Sequence, residues 1–333
     1  MAELVRTPAV LAGYACGRSL ACCARPWRAV LQPGEADTIA QLLAVAADPG
    51  LTPQQWQDSL VNRPPAVVLR QPDGVCSWLD EDQPGCRIQR AAGLAAMPKA
   101  CQNFPRSVVA TPLGIEIAWT LACPTAAGIV ARRPASWQWQ PVANSPYPPA
   151  RQVGDRVAVS RVADWQFGEV MVLREQWWRR LAHPDGLVQT LWAMVNSPLH
   201  PHASPLPDDS AIAAQLAPAW TSAQVGPVSE ALGRLRDTGP QHRDQLRQYW
   251  AAWMAPAGGR VVRDQLDTHR HVLACHAALG LQHAGVHDGG AVGEGIIAAA
   301  RQTVAAARAM AALATTPQPV RDGLVAAAHW ARG

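Results

Sequence analysis

The stretch Arg106-Ser107-Val108-Val109-Ala110-Thr111-Pro112-Leu113-Gly114-Ile115-Glu116-Ile117-Ala118-Trp119-Thr120-Leu121-Ala122-Cys123 decides how the chain reads. Residues 106–110 are a β-like run, and Thr111-Pro112-Leu113-Gly114 is a turn sequence. Ile115, Ile117, Trp119 and Leu121 then alternate along a second run. Alternation is the period of a strand with one covered face, and Pro with Gly between two such runs marks a hairpin. A hairpin here sets a β element against the helical pattern of the second half, which predicts an α+β fold.

Toward the N-terminus, residues 66–69 and 75–79 are further short β-like runs. Residues 35–47 carry Ile39, Leu42, Leu43 and Ala46 at helical spacing, behind Pro33-Gly34 as a start signal. Toward the C-terminus, Arg132-Arg133-Pro134 leads through Trp137, Trp139 and Ser145-Pro146-Tyr147-Pro148-Pro149. Proline removes a donor and disfavours helix before it, so 132–155 reads as a connector. Beyond it Val170, Leu173, Trp177 and Leu181 recur at intervals of three and four, and helices are predicted over 186–196, 211–220, 241–254, 261–282 and 292–314. Trp177, Trp178, Trp192, Trp220, Trp250 and Trp253 are expected to fill a helical core. The expected organisation is a small, loop-rich cysteine-cluster domain with a β-hairpin over 1–131, a Pro/Trp-rich linker over 132–155, and an all-α domain over 156–333.

Charge and hydropathy narrow the partners. The chain has 333 residues and a net charge of +4; Lys99 is its one lysine, and no block of five Lys/Arg occurs. Neither nucleic acid nor a membrane surface is expected as a partner. The Ala-rich 291–314 is interrupted by Glu294, Arg301, Gln302 and Arg308, and no run reaches the length of a membrane span. Met1-Ala2-Glu3-Leu4-Val5-Arg6 lacks a basic n-region and an apolar core, so a cytoplasmic protein is expected. Reducing conditions there favour thiols as ligands or reactive groups over disulfides.

Seven of the eight cysteines fall at Cys16, Cys22, Cys23, Cys76, Cys86, Cys101 and Cys123. Thiolates bind zinc and iron–sulfur clusters well, so these seven are the candidate metal ligands. Five residues separate Cys16 from Cys22, nine Cys76 from Cys86, fourteen Cys86 from Cys101, and twenty-one Cys101 from Cys123. These spacings match neither zinc-ribbon pairs nor ferredoxin runs, and leave the metal open. Cys275 stands apart.

The words around the cysteines carry a resemblance. Cys22-Cys23-Ala24-Arg25-Pro26-Trp27 resembles the opening of the flagellin lysine-N-methylase (FliB-type) family. Cys76-Ser77-Trp78-Leu79-Asp80-Glu81-Asp82, Cys86-Arg87-Ile88-Gln89 with Gly93, Cys101-Gln102-Asn103-Phe104-Pro105-Arg106, and Leu121-Ala122-Cys123-Pro124 resemble its later words in order. The CC, single-Cys and C-x-x-[FY]-P elements are also similar to the wider YkgJ-type cysteine-cluster proteins, described as zinc- or iron-chelating. The resemblance implies transfer of a methyl group from S-adenosylmethionine to lysine ε-amines of a protein, flagellin in that family, with a cysteine-bound [4Fe-4S] cluster. It ends near residue 196. One departure is that the family usually carries a further cysteine where only Gly17-Arg18-Ser19-Leu20-Ala21 stand here. Zinc is the alternative metal, and a non-enzymatic metal-binding module is the alternative function.

Lysine methylation requires loss of the ammonium proton, because only the free amine has a lone pair. Asp80, Glu81, Asp82, Glu116 and Tyr14 are candidates to accept it, and no catalytic residue is singled out; Tyr14 is equally placed to pack beside Cys16. Arg106, beside the Cys101 word, is the candidate cofactor-binding residue, a cation for an anionic cluster or a carboxylate. No glycine-rich dinucleotide motif follows a strand. His269, His271, His276, His283 and His287 recur near Cys275, three of them seven residues apart, which is too far along a helix to share one metal. A solvated or partner-facing stripe is expected, with Gly280 and Gly285 as candidate helix breaks.

Overall fold

The computed structural model describes residues 5–16, 29–46, 52–64, 66–72, 75–80, 85–132, 139–142, 151–160, 163–182, 187–201, 266, 269–283, 291–312, 320–321 and 324. In chain order these form β1 (Val5–Pro8), β2 (Val30–Leu31), α1 (Glu35–Ala44), α2 (Pro53–Asp58), β3 (Leu60–Arg63) and β4 (Ala66–Leu69). They continue with β5 (Leu79–Asp80), β6 (Gly85–Cys86), α3 (Arg87–Ala92), α4 (Lys99–Asn103), β7 (Arg106–Thr111), β8 (Gly114–Trp119) and α5 (Pro124–Arg132). Then come β9 (Trp139–Val142), β10 (Arg151–Gln152), β11 (Arg156–Ser160), β12 (Ala163–Gln166), α6 (Phe167–Ala182), α7 (Leu187–Asn196), α8 (Arg270–His283) and α9 (Val292–Ala312). The fold is mixed α and β with several small sheets. The predicted helices over 211–220 and 241–254, with Trp220, Trp250 and Trp253, lie outside the described residues. Among the described residues no helix is long and apolar enough to cross a membrane.

Two compact units divide the chain, one comprising Cys16–Phe104 and the other Met1–Ala15 with Pro105–Gly333. This division runs differently from the expected boundary at 132–155, and strand pairing explains why. β1 lies inside a sheet of order β10-β7-β8-β1-β9, parallel to β8 through Val5↔Ile115 and Arg6↔Glu116. The first strand of the chain thereby belongs with the hairpin a hundred residues later. Two pieces of the expected linker are themselves strands of this sheet: β9 runs antiparallel to β1, and β10 pairs with β7. Pro141 sits in β9, an edge strand of that sheet, where a missing backbone donor is tolerated.

The β7–β8 hairpin forms as its alternation predicts, in register from Arg106↔Trp119 to Thr111↔Gly114. Thr111 secures the turn, its Oγ1 donating to the Gly114 carbonyl at 2.7 Å and accepting from the Leu113 N–H at 3.2 Å. The region from 156 on, expected to be all-α, opens instead on an antiparallel pair, β11 with β12, and past Phe167 the described elements are helices. α6 buries Phe167, Val170, Leu173, Trp177, Trp178 and Leu181 along the predicted stripe, and α8 packs against α9, α6 and α5. The Trp178 Nε1–H donates to the Ala278 carbonyl at 3.2 Å, tying α6 to α8. Trp177 and Trp178 are buried as expected, and Trp192 is half-buried.

The Cys16–Phe104 unit has a sheet of order β2-β4-β3 and the short β5–β6 pair. Its core gathers Leu31, Ile39, Leu43, Trp56, Leu69, Trp78 and Ile88. Two tryptophans anchor it because each ring finds a polar partner for its N–H: Trp56 Nε1 donates to the Ala36 carbonyl and Trp78 Nε1 to Ser59 Oγ, both at 2.8 Å. Thr52 closes a reciprocal capping box with Gln55 at the start of α2, ahead of Pro53 in the first turn.

Candidate functional site

The cysteine words fold into definite local structures. In the Cys16–Phe104 unit, the Cys76 carbonyl accepts from the Leu79 N–H at 3.0 Å, turning the chain into β5. β6 then pairs Cys86 with Leu79, so the backbone of Cys86 returns beside a residue three positions after Cys76. Cys86 is also the N-cap of α3, and that helix ends at Gly93 with φ +81° and ψ 178°, a conformation that is essentially glycine's. The spacing Cys86-Arg87-Ile88-Gln89 to Gly93 is therefore one short helix with its two ends. Ile88 plugs the core from its middle. Cys101 lies in α4, which starts behind Pro98 and whose Lys99 N–H is accepted by the Glu35 carboxylate at the head of α1.

Cys76, Cys86 and Cys101 are each half-buried, and all three pack against the same hydrophobic core. Their backbones are fixed by the core while part of each side chain stays accessible. Such thiolates are the donor chemistry that zinc and iron–sulfur groups take. Cys16 is exposed, and Cys22 and Cys23 lie outside the described residues. Among the described residues no three His, Cys, Asp or Glu side chains converge on a single point.

Arg106 and Cys123 belong to the other unit, so the Cys101 to Arg106 word is divided at Phe104 and Pro105. Arg106 opens β7 opposite Trp119 and holds its guanidinium carbon 4.7 Å from the Trp119 ring centre and 5.0 Å from that of Tyr14. The two rings are tilted against each other with centroids 4.9 Å apart. Arg106 thus engages two aromatic faces in cation–π contact. Tyr14, expected as a neighbour of Cys16, instead places its hydroxyl 3.4 Å from Cys123 Sγ. Cys123 is buried and directly precedes α5, its carbonyl accepting the first helical bond from the Ala127 N–H at 2.9 Å.

Glu116 departs from its sequence reading as a proton acceptor. It is fully buried in β8 and accepts from Arg6 through one oxygen and from Arg174 Nη1 through the other at 3.2 Å. Arg174 also lies over Trp139 and Trp178, each ring centre 5.7 Å from its guanidinium carbon, and Nη1 reaches Met171 Sδ at 3.2 Å. Burial pulls the Arg174 guanidinium below its ordinary range, the Glu116 carboxylate opposes that, and the Arg6 charge adds to it. With each oxygen committed to a guanidinium, Glu116 is an anchor joining β1, β8 and α6. Sequence reasoning missed Arg6 and Arg174. The signal for Arg174 was its place inside the apolar stripe of α6, between Val170, Leu173 and Trp177, where a charge demands a partner. Asp80 is ion-paired to Arg90, while Glu81 and Asp82 lie outside the described residues.

The C-terminal histidines separate. His271 is exposed, but His276 is buried at the packing of α8 on α9, with Nδ1 2.9 Å from Thr303 Oγ1. A wholly solvated or partner-facing stripe is thereby corrected at His276, because α9 covers that face. His283 lies at the end of α8, and His287 falls outside the described residues. Cys275 is fully buried, and desolvation pushes its thiol up to about 12, which keeps it protonated. A comparison with protein-family models finds no match, and comparisons with curated proteins and with solved structures find none either.

Proposed function

We propose that this chain is a cysteine-cluster metalloprotein that transfers methyl groups from S-adenosylmethionine to lysine ε-amines of a protein, flagellin being the substrate class carried by the sequence words. The observation that supports the metal reading is the packing of Cys76, Cys86 and Cys101, half-buried, against one core. Each of the three is partly accessible, and a partly accessible thiol is a ligand or reactive group more readily than a fully buried one. Cys76, Cys86 and Cys101 are the candidate ligands on this scaffold, and Cys16, Cys22, Cys23 and Cys123 are the further candidates that the sequence words supply. A bound [4Fe-4S] cluster would supply an iron open to the amino-carboxylate of S-adenosylmethionine. Under this reading the cysteine scaffold is the metal domain and the helices beyond Phe167 form the second part of the protein.

A non-enzymatic zinc- or iron-binding module is the second reading. It is favoured by the engagement of two of the candidate proton acceptors, because Asp80 and Glu116 are each ion-paired to arginine. Anaerobic purification with iron, sulfide and zinc analysis separates the two metals. Roughly four irons and four sulfides per chain are expected for the cluster, and a single zinc would sink it. Cys86→Ser and Cys101→Ser should each abolish metal retention, whereas Cys275→Ser should leave it intact; unchanged metal in the first two would refute the ligand assignment. Binding of S-adenosylmethionine by the cluster-loaded protein, followed by transfer of labelled methyl to lysines, supports methylation. Failure of both leaves the metal module.

A further inference from the structure

We propose that the open cleft along the first turns of α6 takes a lysine side chain of a partner protein as a docking contact. Trp165, Glu169, Val172, Leu173, Gln176 and Leu199 line this cleft of about 270 Å³, all within the unit that holds the hairpin. The assignment stands on that lining and needs neither a metal nor a methyl donor. The volume lies below the roughly 300–1,000 Å³ of small-molecule and cofactor sites, so one side chain suits it better than a nucleotide or S-adenosylmethionine does. Its form comes from the passage of β12 into α6. Trp165 stands opposite Val157 in the β11–β12 pair, which fixes the strand end of the cleft. Glu169 accepts the Gln166 N–H through Oε2 at 2.8 Å, and its Oε1 has no partner among the described residues. One oxygen thus serves the helix start, and the other is a pre-oriented acceptor. Leu173 is buried and Val172 is 58 % exposed. Gln176 lies two turns on from Glu169, about 10 Å along the axis. Leu199 lines the same cleft from the turn after α7, which Trp177 holds by donating Nε1 to the Pro198 carbonyl at 2.9 Å.

A carboxylate beside an indole, at one end of an aliphatic floor, is complementary to an alkyl stem that ends in a cation. Glu169 repels an anionic ligand, and a wholly apolar one would desolvate the carboxylate with nothing in return. A compact ammonium suits a single available oxygen, whereas the fork of a guanidinium is matched by a pair. Trp78, Trp119, Trp139, Trp177 and Trp178 each have an arginine of this chain over the ring, but among the described residues none lies over Trp165. The one lysine of the chain is engaged elsewhere, because Lys99 Nζ donates to Gln102 Oε1 at 3.2 Å in the other unit. The cation therefore comes from another molecule, and the exposure of Val172 leaves the cleft open to a side chain carried on a polypeptide.

The test uses the full chain without metal or S-adenosylmethionine and follows the Trp165 indole N–H by NMR, assigned through Trp165→Phe. A capped five-residue peptide with lysine between glycines should shift that resonance saturably. The same peptide with norleucine, which keeps the stem and loses the charge, should bind about 5-fold more weakly. Glu169→Gln should weaken the lysine peptide by about the same factor. Val172→Lys sets an ammonium of the chain's own at an exposed position of the cleft and should abolish the shift. No saturable shift with the lysine peptide overturns the proposal, as does equal binding of the norleucine peptide. Full binding in both Glu169→Gln and Val172→Lys places the peptide elsewhere and also overturns it. Putrescine binding more tightly than the peptide would assign the cleft to a free amine and exclude the protein partner. Because neither metal nor methyl donor is present, failure here leaves the methylation reading standing, and failure of methyl transfer leaves the cleft.

Discussion

His276 shows how a single buried ring couples to pH. The Thr303 hydroxyl donates to the Ala299 carbonyl at 2.9 Å, so its oxygen accepts from His276 Nδ1–H, which fixes the neutral tautomer. Burial lowers the His276 pKa from 6.5 to about 4. Below pH 6.5 the unfolded chain takes up a proton that the folded chain refuses, so stability is complete above that pH and declines as pH falls toward 4. The total loss is about 3 kcal/mol. Denaturant melts at pH 7.5 and 4.5 should show a drop smaller by about 2 kcal/mol in His276→Gln than in the parent; equal drops would exclude His276 as the source. At Glu116 the charge itself is at stake. Glu116→Gln leaves Arg6 and Arg174 crowded without their counter-charge and should destabilise by about 3–5 kcal/mol, read as a lower denaturant midpoint at unchanged slope. A loss under about 1 kcal/mol would show that the three side chains are not coupled.

At the scale of elements, the crossing of α8 and α9 depends on the lack of a side chain at Gly280. A Cβ there would stand 2.8 Å from Ala299 Cβ and 3.3 Å from Ala299 Cα. Gly280 was readable as a helix break, yet it lies within α8, because what it supplies is close approach between two Ala-rich surfaces. Gly280→Ala gains about 1 kcal/mol of helix propensity but forces the helices apart at a cost of about 1–3 kcal/mol, for a net loss. Adding Ala299→Gly should recover stability by more than 0.5 kcal/mol beyond additivity, as thermal melts of the four proteins would report; strict additivity would mean that the two positions do not meet. The elements most legible in sequence were those with a sustained period. β7–β8 and α6 follow their alternation and their intervals of three and four. Residues 75–79 illustrate the opposite case: the strand is only Leu79–Asp80, because Val75 to Trp78 are taken up by turns around Cys76. Alternation in β8 marked one covered face, whereas both are buried, and the second face is where Glu116 meets Arg174.

Across the whole molecule, local pattern and long-range pairing contributed different things. The sequence by itself determined the mixed α and β character, the hairpin, the main helical stripe, and the set of cysteine words, because periodicity, turn residues and clustered thiols act over a few neighbouring positions. Only the tertiary structure decided that Val5–Pro8 joins the sheet of the hairpin, that strands reach into 139–142 and 151–152, and that the units divide at Ala15 and Phe104. It also decided that Tyr14 meets Cys123 rather than Cys16, and that Glu116 is held between two arginines. Strand pairing and ion pairing join residues more than fifty or a hundred positions apart, as Arg174 and Arg6 are from Glu116. No local propensity encodes those partners, because their energy exists only once the backbone has brought them together.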